Sequence, residues 1–166
     1  MAQSAGLNDE AFEWLKRLLE SSHSVQLATQ GEAGPEASYA PFILFEDELY
    51  IFISQLAGHT QNLIDSSAVG VMLIEDEAQS RNQFARNRLA LHCRADVVEV
   101  TAPEYEPIMQ WYRHRHGATV DLLRSLPDFM LFRLKPLKGR LVIGFGRAFN
   151  VQLPGFQLQP ITAKQP

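Results

Sequence analysis

Polar side chains that could bind an anion follow an apolar segment in the first half of the chain. Ser54 ends the apolar run, Gly58 lies in the turn after it, and His59 and Asn62 lie in a short helical segment. Free N–H groups and the positive end of a helix at such a turn favour an anion. The Ser54 hydroxyl and the His59 ring add donors. Simple capping of the helix is the alternative, and the sequence leaves both interpretations open.

Two arginines at the start of a later strand are a second candidate for anion binding. Arg86 and Arg88 lie where a polar loop enters this strand, and a guanidinium group can bind a phosphate or a carboxylate through paired hydrogen bonds. The alternative is that both arginines are solvated charges that balance the acidic run Glu75–Glu77. If the strand starting at Arg88 runs beside the strand ending at Ser54, the two groups form one anion pocket.

The remaining reactive side chains give one further candidate. Asp121 lies in a short helix, either as a hydrogen-bond partner inside a binding site or as an ordinary acid of a first helical turn. The five histidines have no metal-binding spacing, so we predict no metal site. Cys93 is the single cysteine, which excludes an intramolecular disulfide. Serine-hydrolase and P-loop motifs are absent from the sequence.

The composition is that of an ordinary folded domain. The chain has 166 residues, 46% of them hydrophobic and 20% charged, and its net charge is −4. Nucleic-acid binding usually requires a basic surface, so we expect no nucleic-acid partner. No segment approaches the ~20 apolar residues of a membrane helix, and the N-terminal residues lack the pattern of a signal peptide. We therefore expect a cytoplasmic protein without a membrane partner.

Apolar periodicity predicts a mainly β fold with inserted helices, an α+β arrangement. A helix capped by Asn8 is followed by three strands, a short helix, two strands, two helices and two strands. Thr101–Glu104 has the spacing of a capping box. The last two strands, Phe129–Leu134 and Gly139–Phe149, are joined by a turn. Antiparallel strands with helices between them predict a small barrel over residues 1–153, with residues 154–166 as a loose tail.

Six segments occur in an order that resembles the haem-utilisation proteins of the pyridoxamine-phosphate-oxidase-like superfamily. They are Ser38–Phe42, Ile53–Ser54 with His59 and Asn62–Leu63, Ile74–Asp76, Phe84–Leu89, Asp128–Leu134 and Gly144–Ala148. The resemblance covers residues 10 to 152. It implies a homodimeric, antiparallel split β-barrel of the FMN-binding type, with a cofactor cleft between the subunits.

The cofactor that this resemblance implies is haem or FMN. In the wider superfamily the FMN phosphate lies near positions matching Ser54, Gly58 and His59 and near the arginines of the fifth strand. In the haem-utilisation branch the cleft holds haem, which members degrade with oxygen and a reductant. The resemblance thus leaves three alternatives: a haem-binding protein that degrades haem, an FMN-dependent oxidoreductase, or a non-catalytic carrier of haem or flavin.

The sequence departs from the family pattern at two places. In the oxidase branch the positions matching Gly58 and His59 tend to be arginine and lysine, so two cations that would hold an FMN phosphate are missing here. In the haem branch the iron's histidine ligand follows the Gly144–Gly146 segment, whereas His116 is the last histidine of this chain. Asp121 matches an acidic position of haem-degrading members. Haem and FMN both remain open at this point.

Overall fold

Residues 2–161, with the side chains of residues 8–161, are described by a computed structural model. These residues form nine strands and four helices, and two short 3₁₀ turns interrupt the loop between β5 and β6. The elements in chain order are α1 (Ala2–Ser21), β1 (Ser24–Gly31), β2 (Gly34–Pro41), β3 (Ile43–Phe45), β4 (Glu48–Ser54), α2 (Gly58–Asp65), β5 (Ala68–Ile74), β6 (Arg88–Val98), α3 (Tyr105–His116), α4 (Thr119–Arg124), β7 (Phe129–Ile143), β8 (Arg147–Gln152) and β9 (Gln157–Pro160).

One antiparallel sheet contains all nine of these strands. Its path runs β2-β1-β5-β6-β7-β4-β3, while β8 pairs with β7 and β9 pairs with β8. β7 pairs with β6 along one edge, and along the other edge its first part pairs with β4 and its last part with β8. The sheet curls into a half-barrel accompanied by the four helices, which confirms the predicted antiparallel split barrel.

Two apolar cores lie on opposite faces of β4. Leu49, Ile51 and Ile53 face the barrel interior, which α1 closes through residues that include Leu15. On the other face of β4, Phe52 packs into a second core beneath α3 and α4. Because both faces are covered, β4 is apolar along almost its whole length and shows no alternation.

The turn predicted between Leu134 and Gly139 is wrong. β7 continues through these residues to Ile143. Pro136 has no N–H to donate, and it is accommodated where the pairing between β6 and β7 shifts register. The chain reverses later, at Gly144–Gly146, where both glycines have positive φ (53° and 76°). The segment predicted as one last strand is therefore a hairpin of β7 and β8.

Two predicted helix starts also differ from the structure. α1 begins at Ala2, so Asn8 lies inside the helix and does not cap it. α3 begins at Tyr105, and Glu104 occupies the cap position without a side-chain hydrogen bond. Thr101 makes no capping box, because the backbone before α3 forms a turn in which the N–H of Ala102 donates to the carbonyl of Glu99 at 2.9 Å.

The tail predicted to be loose forms a strand over part of its length. β9 pairs with β8, and Phe156 just before it is buried in the barrel core. Leu158 packs against the same core. It is the single apolar residue between two glutamines, and its packing decides which face of this edge strand points inward. Residues 162–166 lie outside the described part of the chain, and the domain boundary at Leu153 stays a prediction.

Candidate functional site

The Ser54 hydroxyl lies at the junction between β4 and α2 and is already fully bonded. It donates to the Asp128 carboxylate and accepts the N–H of Leu56 at 3.0 Å. The Thr60 hydroxyl donates to the Ser54 carbonyl at 2.6 Å and so fixes the first turn of α2 to the end of β4. The local sequence therefore uses these hydroxyls to build the strand-to-helix turn, whereas no side chain caps α2, because its cap residue is Ala57.

His59 and Asn62 lie on α2 with different environments. The His59 ring is half-buried, and its Nε2 atom has no hydrogen-bond partner among the described residues. Burial lowers the pKa of this ring below its usual value, so the imidazole is neutral at pH 7. The Asn62 side-chain amide donates to the Thr29 hydroxyl and to the Glu36 carboxylate, both at 3.0 Å. The His59 Nε2 atom is enclosed by the protein, so a bound group can reach it only if the side chain turns outward.

Glu36 places a carboxylate beside the first turn of α2. Its Oε2 atom accepts from Asn62 and lies 3.4 Å from the position that a Cβ atom would have at Gly58. A Cβ atom at Gly31 would collide with the same carboxylate. Sequence reasoning missed Glu36, although the hairpin register that pairs it with Thr29 follows from the glycine turn between β1 and β2. The side chain therefore adds a negative charge beside the predicted anion site.

The second predicted group, Arg86 and Arg88, lies where the β5–β6 loop enters β6. Both side chains are half-buried. The Arg86 guanidinium donates to the backbone carbonyl of Glu75 at 2.5 and 3.1 Å, and Arg88 donates to the Arg86 carbonyl at 3.1 Å. Within residues 8–161, neither arginine forms a salt bridge with an acid. The charge balance with Glu75–Glu77 therefore involves no direct ion pair among the described residues, and the roles of both arginines stay predictions.

Asn87, which sequence reasoning missed, fixes the loop between these two arginines. Its side-chain amide donates to the Glu75 carboxylate at 2.9 Å, and its Oδ1 atom accepts the N–H of Gly144 at 3.0 Å. The residue is buried, and its backbone also pairs with Glu75. The sequence signal for this role was an asparagine between two arginines. The burial of Asn87, however, depends on the β7–β8 turn, which is far away in the sequence.

The two predicted groups lie near opposite ends of β7. Ser54 pairs with Phe129 at the start of this strand, whereas Arg88 pairs with Val142 near its end. The residues between these two positions span about 40 Å along a strand. β7 separates β4 from β6, so the condition for one anion pocket is not met within a single chain.

Asp121 lies apart from both groups, on the surface of the α3–α4 pair. Its carboxylate accepts from the Arg113 Nε atom at 2.7 and 3.0 Å, and both side chains are about half exposed. Its helix neighbour Val120 is buried in the second core. Asp121 therefore forms an ordinary surface ion pair, and its place in a cofactor site stays a prediction.

Comparison with known proteins identifies the family. The model of the pyridoxamine 5'-phosphate oxidase family matches residues 12–143, which is most of the chain. The chain belongs to this family. The resemblance found in the sequence is thereby confirmed. No helix within residues 2–161 is long and apolar enough to span a membrane.

Several members of the pyridoxamine 5'-phosphate oxidase family are similar to this chain in sequence or structure. The haem oxygenase HutZ of Vibrio cholerae is 38% identical over 138 residues, which cover 82% of this chain and 78% of HutZ. A crystal structure of HutZ, described as a haem storage protein, matches with a TM-score of 0.73 at 36% identity, over 78% of this chain and 92% of that one. Campylobacter jejuni ChuZ matches with a TM-score of 0.79 at 28% identity, over 95% of this chain and 63% of ChuZ.

The two groups of residues fit the acidic groups of the family's cofactors unequally. At the N-terminus of α2, the carboxylates of Glu36 and Asp128 lie beside the donors that would hold a phosphate, so this end fits an anion poorly. At the start of β6, Arg86 and Arg88 offer two guanidinium groups without a bound acid among the described residues. This end therefore fits a carboxylate or phosphate.

Proposed function

We propose that this chain is a haem-binding protein of haem utilisation, with Arg86 and Arg88 as the residues that bind the haem propionates. The observation that carries the proposal is the pair of half-buried guanidinium groups without an acid partner among the described residues. A guanidinium group held in a fixed position binds a carboxylate through charge-assisted hydrogen bonds. The similarity to HutZ supports haem as the ligand.

Two exposed aromatic rings on either side of Asn87 support a large apolar ligand at this end. Phe84 is 89% exposed in the loop that leads to Arg86, and Phe145 is 68% exposed in the turn that Asn87 bonds at Gly144. Exposed aromatic rings on segments held together by a buried amide are typical of a binding surface. A porphyrin offers both an apolar plane and carboxylates, so it matches the rings and the arginines together.

We also propose that the binding unit is a homodimer. Ser54, Gly58, His59 and Asn62 lie near one end of β7 and the arginines near the other, so one ligand could contact both groups only if they came from two copies. The outer face of β1, β5 and β6 carries small residues, including Ala28, Gly70 and Ala90. Small residues allow two sheets to approach closely.

The residue to examine for iron ligation is His59. Its ring is neutral, which is the form of imidazole that ligates metals, and its Nε2 atom has no partner among the described residues. That atom is enclosed by the protein, so ligation requires the side chain to turn outward. Bound haem would supply iron for oxygen chemistry, and the chain would supply binding, orientation and exclusion of water. A cytoplasmic location and the absence of a nucleic-acid partner remain expectations from the sequence.

The second candidate function is that of an FMN-dependent oxidoreductase. The observation that favours it is the family match itself, because Arg86 and Arg88 could equally hold a phosphate. The two functions differ in a simple measurement. An absorption titration with haem gives a shifted Soret band when haem binds, whereas an FMN titration gives a perturbed flavin spectrum.

The test of the haem proposal compares Arg88→Ala with Arg81→Ala, an exposed arginine in the same loop. We expect the wild-type protein to bind one haem per chain in a saturable manner. Arg88→Ala should weaken this binding about tenfold or more, because one charge-assisted hydrogen bond is lost. Arg81→Ala should bind like the wild type. Absence of saturable haem binding, or equal affinities of the two variants, would contradict the proposal.

A further inference from the structure

We infer that His23 ligates the haem iron, in a cleft between α1 and the outer face of β1 and β5. This role rests on the proposed haem-binding function and names an iron ligand for that same site. His23 lies directly before β1, outside the six segments that resemble the haem-utilisation proteins. Its role therefore follows from its surroundings in the fold, which the order of those segments does not describe.

The cleft beside His23 has a volume of about 460 Å³ and lies between the end of α1, the outer face of β1 and β5, and the loop after β5. Trp14 and Leu18 line it from α1, and His23 lines it where the chain passes from α1 to β1. Met72 and Ile74 line it from β5. A cleft of this size with apolar side chains on two sides and one ligating group is suited to a flat aromatic ligand such as a porphyrin.

The His23 ring presents a nitrogen in the form that ligates metals. Its Nδ1 atom lies 3.1 Å from the carbonyl oxygen of Ser21, which can only accept a hydrogen bond. Nδ1 therefore carries the proton, and Nε2 of the neutral ring keeps its lone pair. Metal-ligating histidines usually have their other ring nitrogen bonded in this way. The side chain is exposed, whereas the Nε2 atom of His59 is enclosed and needs a rotation to reach a ligand.

The backbone that carries His23 is held on both sides. The Arg115 guanidinium donates to the carbonyl of Ser22 and, at 2.8 Å, to the carbonyl of Glu20. The His23 carbonyl accepts the N–H of Phe42 at 3.2 Å. These bonds fix the passage from α1 to β1 to α3 and to the segment before β3. The imidazole therefore extends from a fixed segment, as a metal ligand requires.

The strand register places His23 within reach of a haem bound at Arg88. Arg88 pairs with Ile74, and the register of β1 against β5 places Ser24 opposite Ile74. All three side chains lie on the outer face, in one row across three strands, so Arg88 and Ser24 are about 10 Å apart. A haem has its carboxylates at one edge and its iron at the centre. One molecule can thus bind Arg88 through a propionate and His23 through the iron.

Three other side chains that line the cleft are of types that can ligate iron, namely Met72, Glu75 and Asp76. The Glu75 carboxylate accepts from the Asn87 amide at 2.9 Å, and the Asp76 carboxylate accepts the N–H of Ala78 at 2.8 Å. Both carboxylates are therefore engaged within the chain. A thioether is an axial ligand in some haem proteins, so Met72 is the alternative within the cleft.

The experiment compares His23→Ala with the wild type, with His59→Ala and with Met72→Leu. His114→Ala, at an exposed position of α3, is the matched control. Each protein is titrated with ferric haem and followed by its Soret band. We expect His23→Ala to shift this band and to raise the dissociation constant about tenfold or more, because the bond to iron is lost. Added imidazole should restore the wild-type band in His23→Ala, because it takes the place of the missing ring. The other variants should keep the wild-type spectrum.

The outcomes separate the ligand from the function. A wild type without a saturable Soret shift would overturn the haem function and this ligand with it. Where the wild type binds haem, three results would overturn the ligand alone: an unchanged spectrum in His23→Ala, a loss that imidazole does not reverse, or a larger effect in His59→Ala or Met72→Leu. His23→Gln, which keeps a polar side chain of similar size, serves as the second variant if alanine impairs folding.

Discussion

Asn87 and Glu75 are joined by backbone and side-chain hydrogen bonds at the junction of β5 and β6. The Glu75 carboxylate accepts from the Asn87 side-chain amide at 2.9 Å and from its backbone N–H at 3.2 Å, and the Glu75 N–H donates to the Asn87 carbonyl at 2.8 Å. The Glu75 carboxylate is therefore engaged by Asn87, and it forms no salt bridge with Arg86 or Arg88.

Replacing Asn87 with alanine should destabilise the protein and weaken haem binding together. The change leaves the N–H of Gly144 without its partner and frees the Glu75 carboxylate to pair with Arg86. We expect a loss of about 2 kcal/mol in the free energy of unfolding, measured in urea. Asn150→Ala, at an exposed position of β8, is the matched control. Equal unfolding free energies for the two variants would contradict this role of Asn87.

Phe145→Ala should lower haem affinity without changing stability. The ring is 68% exposed and contributes little to the core, whereas we place it against the bound porphyrin. We expect at least a fivefold rise in the dissociation constant, about 1 kcal/mol, measured by Soret titration. Phe12→Ala removes a ring that is 52% exposed on α1 and should bind haem like the wild type. The proposed surface is wrong if both variants retain wild-type affinity.

Tyr112→Phe should destabilise the second core. The buried Tyr112 hydroxyl donates to the Pro41 carbonyl at 2.6 Å and accepts the N–H of Phe52 at 3.2 Å, and burial raises the pKa of this phenol. Removing the hydroxyl takes the partner from the buried Phe52 N–H and from the part-buried Pro41 carbonyl, so we expect a loss of about 1–3 kcal/mol in thermal or urea unfolding. Tyr39→Phe alters a ring that is 68% exposed and should have no measurable effect. A similar stability for both variants would argue against the bridge.

The stability of the protein should fall as the pH falls below about 6.5. Burial is the main cause that lowers the pKa of His116, whose ring also contacts the Phe42 carbonyl and faces Arg115 and His23. Because the unfolded state binds the proton more readily, this contribution is complete above the unfolded pKa and is lost as the pH falls through the folded pKa.

The measurement for this pH effect is urea unfolding at pH 7.5 and pH 5.5. His116→Gln should lose less stability between these two pH values than the wild type, because the titrating ring is gone. His92→Gln, at an exposed position of β6, should keep the wild-type dependence. An unchanged pH dependence in His116→Gln would show that this ring is not responsible.

The fold was more accessible from the sequence than the site. β6 alternates from Arg88 to Ala95, with Leu89, Leu91 and Cys93 inward, and such a pattern predicts a half-buried strand without further information. Pro136 was misleading, because a proline usually marks a turn, and only the register of the neighbouring strand shows that it is tolerated.

The site residues were predictable by type and not by arrangement. A guanidinium pair and a strand-to-helix turn are visible in the sequence, but their separation depends on β7 lying between β4 and β6. The roles of Glu36 and Asn87 depend on contacts with α2 and with the β7–β8 turn, which join residues far apart in sequence. Such contacts arise only when the sheet is complete, so local pattern could not reveal them.

The position of β7 also determines the order in which the molecule can assemble. β7 joins the group β2-β1-β5-β6 to the pair β4-β3, and its partner residue for Leu49 is Leu134. During synthesis, the edges of β4 and β6 that pair with β7 therefore remain unpaired until residues 129–143 have left the ribosome. Pairings between such distant residues form slowly, and exposed strand edges favour aggregation in the meantime. Folding of this chain should thus depend on its last quarter, and fragments that end before Phe129 should aggregate.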